Sequence, residues 1–212
     1  AEYQPAKLAA MEGHFDAEAP ADLYLLGWVD KESQTTTGIS VPGGLSFMLE
    51  QDFEAPVTGL NAFPEEDRPG QVNAVFQFYH LMVAIGMMLI GLTLLSCFFW
   101  WRGTLFKQRW LLWVFVFAVI LPQLANQFGW FAAEMGRQPW VVYGLLRTSE
   151  ALSNVVTANQ VLFSLIGFTL IYALLLGLFL YLLNKKIKHG PYDESDIDDR
   201  PLQEEIANVV AG

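Results

Sequence analysis

The stretch Gly129-Trp130-Phe131-Ala132-Ala133-Glu134-Met135-Gly136-Arg137-Gln138-Pro139-Trp140 places a carboxylate and a guanidinium at the end of an apolar run that starts at Trp110. An ionisable side chain within or at the rim of a membrane span is costly, so by default it marks a functional face turned toward protein rather than lipid. The run from Trp110 to about Gln138 reads as one span. At about 100° per residue, Gln123, Asn126, Gln127, Trp130, Glu134 and Arg137 lie within about 60° either side of one line, so the polar groups share a face. A packing stripe using amides as hydrogen-bond glue accounts for Gln123, Asn126 and Gln127 as well as a functional face does. It accounts less well for Glu134 and Arg137 together.

Two further apolar runs flank this one. Val72 to Trp101 and Gln160 to Leu183, like Trp110 to Phe131, are long enough at about 1.5 Å per residue to cross about 30 Å of hydrocarbon. Composition agrees: the chain is 53% hydrophobic and 16% charged, with 16 Phe and 7 Trp, too apolar for an ordinary soluble domain. The predicted fold class is therefore an all-α membrane protein, with three transmembrane helices (about 72–101, 110–138 and 160–183) that belong to a larger helical bundle.

Charge sorts the connections by side. Arg102, Lys107 and Arg109 lie between the first two spans, and Lys185, Lys186 and Lys188 follow the third, so the positive-inside rule makes these ends cytoplasmic. Residues 1–71 are then external. There Asp16, Glu50, Asp52, Glu65, Glu66, Asp67 and other acids outnumber Lys7, Lys31 and Arg68. The net charge of −10 reflects two acidic solvated regions and argues against nucleic-acid binding. Trp100, Trp101 and Trp110 suit an interfacial aromatic belt.

Residues 1–71 are punctuated by Pro5, Pro20, Pro42, Gly43, Gly44, Pro56, Pro64, Pro69 and Gly70, so an irregular external loop region is expected. Its start, Pro5 to His14, suits a short helix. Leu23–Val29 and Ile39–Val41 are expected to be short extended pieces. Residues 190–212 form an acidic tail, expected to be disordered and cytoplasmic. No Met, basic n-region or cleavage pattern precedes Ala1, so the sequence reads as a portion of something longer. Cys97 lies alone in an apolar run and says little about redox compartment.

The stretch from Gly129 to Trp140, and its GRQPW end above all, resembles a signature of subunit I of cytochrome bd-type quinol oxidases. Gln4–Glu12 (QPAKLAAME) resembles the start of that family's quinol-binding loop, and Phe78–Val83 (FYHLMV) its haem-ligating helix. The three motifs occur in the family's order. Subunit I of that family has nine transmembrane helices, and this chain resembles its external quinol-binding loop followed by the last three. The resemblance implies a multi-pass protein of the plasma (inner) membrane. It also implies partners: the remaining N-terminal half of subunit I, an oxidase subunit II and small accessory subunits.

What the resemblance implies for each residue stands beside a plainer reading. Lys7 and Glu12 coincide with loop residues implicated in quinol oxidation, where Glu12 would accept the hydroxyl proton and Lys7 orient an oxygen; by composition alone both are ordinary surface charges. Met82 coincides with an axial ligand of the low-spin haem b, its soft thioether suiting iron opposite a histidine. On an apolar helix it is otherwise packing. Gly86, one turn on, would let a porphyrin approach the backbone. His80 is expected to pair with a haem propionate or to be a capped interfacial histidine, since two residues along a helix from Met82 it cannot share the same iron. Glu134 coincides with a group that ligates or neighbours the high-spin haem b, and Arg137 with a propionate partner. Trp130 would lie between haems or simply pack. The implied cofactors are low-spin haem b, high-spin haem b and haem d. The implied reaction is oxidation of quinol at the external face and reduction of oxygen to water, with generation of proton-motive force. The alternatives are a non-catalytic transporter fragment or assembly protein, and one half of a split oxidase subunit.

Overall fold

A computed structural model of the chain describes residues 3–153 and 155–190. It divides into one unit ending at Leu152 and a second beginning at Ser153. Beyond Gly190, the acidic tail expected over 190–212 lies outside the described residues.

The first unit runs α1 (Pro5–Glu12), β1 (Leu23–Asp30), β2 (Thr35–Val41), α2 (Gly44–Glu50), α3 (Val72–Trp101), α4 (Arg109–Ala118), α5 (Leu121–Arg137), β3 (Trp140–Val142) and β4 (Leu146–Arg147). α1 starts with Pro5 in its first turn, where the missing N–H is no loss. It ends at Gly13, whose φ of 65° is left-handed and whose N–H returns to the Ala9 carbonyl. A Cβ at Gly13 would lie 2.7 Å from Val29 and 3.0 Å from Phe76, so this corner is also a close approach of three elements.

Residues 3–71, expected to be an irregular loop region, are more ordered than their prolines and glycines suggest. β1 and β2 form an antiparallel hairpin, with Leu23 opposite Val41 and Asp30 opposite Thr35. Its turn is held by Asp30, which accepts from the Glu32 N–H at 2.9 Å and the Ser33 hydroxyl at 2.8 Å. α2, which the sequence reading did not anticipate, packs Leu45 into a small cluster with Ala21 and Val57.

α3 begins beside this hairpin. Asn73, Gln77 and His80, spaced to share one helix face, bind successive points along β1. The Val29 N–H donates to Asn73 Oδ1 at 3.1 Å, Gln77 Nε2 donates to the Gly27 carbonyl at 2.7 Å, and His80 Nε2 lies 2.7 Å from the Tyr24 carbonyl. These side chains satisfy the backbone groups of β1 that do not pair with β2. Beneath the ladder, Ala9, Ala10, Phe15, Val29, Leu60, Val72, Val75 and Phe76 form the main core.

The predicted second span is two helices. α4 and α5 meet at a break bent by 41°. Pro122 opens α5, and its ring conflicts with the carbonyl four residues back, on Ala118, where α4 ends. Pro139 follows the far end of α5, as expected. α5 packs on α3 through Gly129, Ala132 and Gly136: a Cβ at Gly129 would sit 2.7 Å from the Met82 sulfur, and one at Gly136 3.2 Å from Val75. Phe78 fills the space between, its ring 5.8 Å from Phe128 and 5.2 Å from Phe131.

The second unit contains α6 (Ala158–His189), introduced by a capping box in which Thr157 and Gln160 satisfy each other's backbone donors. It extends beyond the predicted 160–183 at both ends. Among the described residues, α3 and α6 are long and apolar enough to cross a membrane, and the bent α4–α5 pair makes a third span if taken as one. The chain is thus a helical, integral membrane protein, with a β-hairpin added in the region before α3.

Candidate functional site

α1 lies across the ends of α3 and α5, and this brings the two separated motifs together. Gly136 makes room for Lys7: a Cβ there would lie 3.2 Å from Lys7 Cγ. Burial pulls the Lys7 ammonium below its ordinary range, with Arg137 acting in the same direction and Glu134 opposing it. Glu134 and Arg137 are themselves an ion pair one turn apart on α5, both partly exposed. Lys7, Glu134 and Arg137 therefore form one mixed-charge group at the rim.

Glu12 lies at the other end of α1 in a different setting. The residue is 1% exposed, and neither carboxylate oxygen has a hydrogen bond of good geometry among the described residues. Burial pushes its carboxyl above the usual carboxylate range, while His80 and the neighbouring Tyr79 hydroxyl act in the opposite direction. A buried carboxylate so sparsely supplied with donors is costly and is often found where the group has chemistry to do.

His80 stacks on Phe76 at 3.9 Å between ring centroids. Its Nδ1 lies 2.9 Å from the Phe76 carbonyl and its Nε2 2.7 Å from the Tyr24 carbonyl. Both ring nitrogens are thus engaged within the chain, and His80 serves as the last rung of the β1 ladder. Met82 is half-buried between α3 and α5 with its sulfur against Gly129, whereas a Cβ at Gly86, one turn along, would meet only open space. Trp130 is 59% exposed and Asn126 and Gln127 are exposed, so the polar stripe of α5 points away from α3.

The residues present fit the groups that a haem site requires. Arg137 Nε is buried without an acceptor among the described residues, a vacancy that a carboxylate such as a propionate suits. The half-buried Met82 thioether, flexible about three bonds, stands beside the open backbone at Gly86. The described residues contain no cluster of three or more His, Cys, Asp or Glu side chains able to hold a metal ion by itself, so an iron here would take its other ligands from elsewhere.

Sequence reasoning missed Tyr79, Asn73, Gln77 and the contacts of Trp140. The visible signal was three hydrogen-bonding side chains at helical spacing in the first turns of an apolar run. Trp140 lies under the Arg147 guanidinium at 4.9 Å.

Residues 1–191 match the family model described as cytochrome bd terminal oxidase subunit I. The chain is 32% identical to the cytochrome bd ubiquinol oxidase subunit 1 of Bacillus subtilis, covering 99% of this chain and 48% of that protein. A second Bacillus subtilis protein, provisionally named cytochrome bd menaquinol oxidase subunit I, is 36% identical over 91% of this chain and 43% of its own length. The bd oxidase structure from Geobacillus thermodenitrificans superposes with a TM-score of 0.69 at 32% identity, over 90% of this chain and 43% of that one. The chain spans about half the length of the curated relatives it matches.

Proposed function

Because the chain belongs to the cytochrome bd terminal oxidase subunit I family, we propose that it is the quinol-oxidising and haem-holding C-terminal portion of a membrane quinol:oxygen oxidoreductase. The observation that carries this reading is the buried carboxylate of Glu12, beside the Tyr79 hydroxyl and held by α1 against the ends of the two helices that bear Met82, Glu134 and Arg137.

Quinol oxidation releases two electrons and two protons, and a group at the ring must take each hydroxyl proton as electrons leave. Glu12 takes that role. Its raised affinity for protons brings it nearer to working pH than an ordinary carboxylate, and its apolar surroundings exclude water. Lys7, whose ammonium gives up its proton more readily because of burial, orients a quinol oxygen from the rim. Met82 would hold the low-spin haem b through its thioether, Glu134 would place its carboxylate at the high-spin haem b, and Arg137 would hold a propionate. Trp130 shares the polar face of α5 with Glu134 and Arg137, where it would lie between haems. With haem d, these haems when bound would supply the electron path and the iron for reduction of oxygen to water. His80, expected at a propionate, acts instead in this reading by anchoring β1 over the quinol pocket.

Residues 1–71 and the connection after Arg137 face outward and the lysine-bearing ends face the cytoplasm, so protons leave on the outside and proton-motive force is generated. The partners are the N-terminal half of subunit I, oxidase subunit II and small accessory subunits. Relatives named for ubiquinol and for menaquinol both match, so the substrate is stated as a quinol. The test is Glu12→Gln in the full oxidase: quinol-dependent oxygen consumption should fall by about 100-fold or more, the scale of a lost general base, with haem content kept. Turnover at the unsubstituted rate would remove Glu12 from the reaction.

A further inference from the structure

Past α5 the chain turns back on itself and is fastened to the segment that feeds α3. Trp140 and Arg147 pair across the short β3–β4 hairpin, and Gly144 supplies the turn at a φ of 73°. Thr148 secures its base, its N–H donating to the Pro139 carbonyl at 2.8 Å and its hydroxyl to Gln138 Oε1 at 2.7 Å. The Arg147 guanidinium then lies over the Trp140 ring at 4.9 Å and donates to Asp67 Oδ1 at 2.6 Å, with Glu66 at 3.6 Å. Both partners of the closer pair are partly buried, at 29% and 20% side-chain exposure, unlike Glu66 at 73%. Asp67 closes a short 3-10 turn (Glu65–Asp67) just before α3. Its neighbour Arg68 is held by the Phe63 carbonyl at 2.8 Å and by Asn61 Oδ1 at 2.9 Å. The anchor for Arg147 is thus a rigid point.

We propose that Arg147 is a positioning residue for the quinol pocket: by joining Trp140 to Asp67 it fixes the separation of the outer ends of α3 and α5, between which α1 places Lys7 and Glu12. The proposal rests on the reading of Glu12 as the quinol site. A guanidinium is required because one planar group stacks on an indole with its face while its edge donates to a carboxylate; an ammonium does only the second. The clamp touches neither quinol nor haem. Its loss widens the cleft without removing a reacting group, and so acts on substrate binding rather than on the chemical step.

The experiment uses the full membrane oxidase with Arg147→Gln, Arg147→Lys, Asp67→Asn and the double variant that joins Arg147→Gln to Asp67→Asn. In Arg147→Gln and Asp67→Asn the quinol KM should rise about three- to tenfold, the range for a partly buried coupled pair, while kcat and haem content stay within about twofold. Arg147→Lys should fall between these variants and the parent. The double variant should raise KM little beyond the larger of the two single changes, because both break the same contact. An unchanged KM in Arg147→Gln, a parallel loss of kcat and haem content, or fully additive effects in the double variant overturns the positioning role. The two readings fail separately. Turnover by Glu12→Gln at the unsubstituted rate overturns the quinol site, whereas an unchanged KM in Arg147→Gln beside an inactive Glu12→Gln overturns the clamp alone.

Discussion

Lys7 and Glu12 share one short helix and meet opposite surroundings: Lys7 joins a charged rim, while Glu12 is closed off beneath it. The raised Glu12 affinity for protons has two consequences with opposite signs. As a base, Glu12 works only when ionised, so quinol oxidation should fall as pH drops through its raised value, and a pH–rate profile should lose that acid limb in Glu12→Gln. For stability, the protonated carboxyl is the favoured buried form. Its contribution is present below the ordinary glutamate range and is lost as pH rises through the raised value. Glu12→Gln should therefore raise the thermal midpoint at neutral pH, with the gain vanishing toward pH 4, the ordinary carboxylate range; a gain independent of pH would disprove this account. Glu134→Ala removes the partner of Arg137 on the polar face of α5 and should abolish turnover with loss of the high-spin haem b spectrum. The exposed Glu50→Ala should change neither.

At the scale of elements, α3 and α5 approach through glycine. Substituting Gly136 by Leu forces volume against Lys7 and Val75, and should destabilise the assembled protein by about 1–3 kcal/mol, read as a lower thermal midpoint in detergent. At Gly129 the obstacle is the movable end of Met82, so Gly129→Ala should instead displace the sulfur and alter the low-spin haem b spectrum with a smaller loss of stability. The helices themselves were legible in the sequence, because hydrophobic runs report burial in lipid directly. The bend was legible in principle, since Pro122 forbids a continuous ladder back to Ala118, but a long apolar run obscured it. The ladder on β1 was not legible. Asn73, Gln77 and His80 reach partners 44 to 56 residues away in sequence, and no local pattern carries that pairing. The same holds for Arg147, whose carboxylate partner lies 80 residues earlier. The site residues were readable only through family resemblance, because a buried Glu and a surface Glu look alike until α1 is laid on α3.

For the whole molecule, orientation can be tested with Cys97 replaced by Ser. A cysteine introduced at Glu50 should react with an impermeant reagent in intact cells, and one at Lys107 should not; the reverse pattern would invert the topology. The rungs that tie α3 to β1 also act as a depth gauge. A helix face committed to the backbone of a hairpin up to His80 stands above the lipid, so the hydrocarbon can begin only at about Leu81. From there to Trp101 the rod reaches about 30 Å, the thickness of a bilayer interior, and it ends on the tryptophan pair suited to the opposite headgroups. Met82 then sits at the hairpin end of the hydrocarbon rather than midway through it. Under the proposed function, a haem held by Met82 would lie within reach of a donor arriving from the lipid–water boundary.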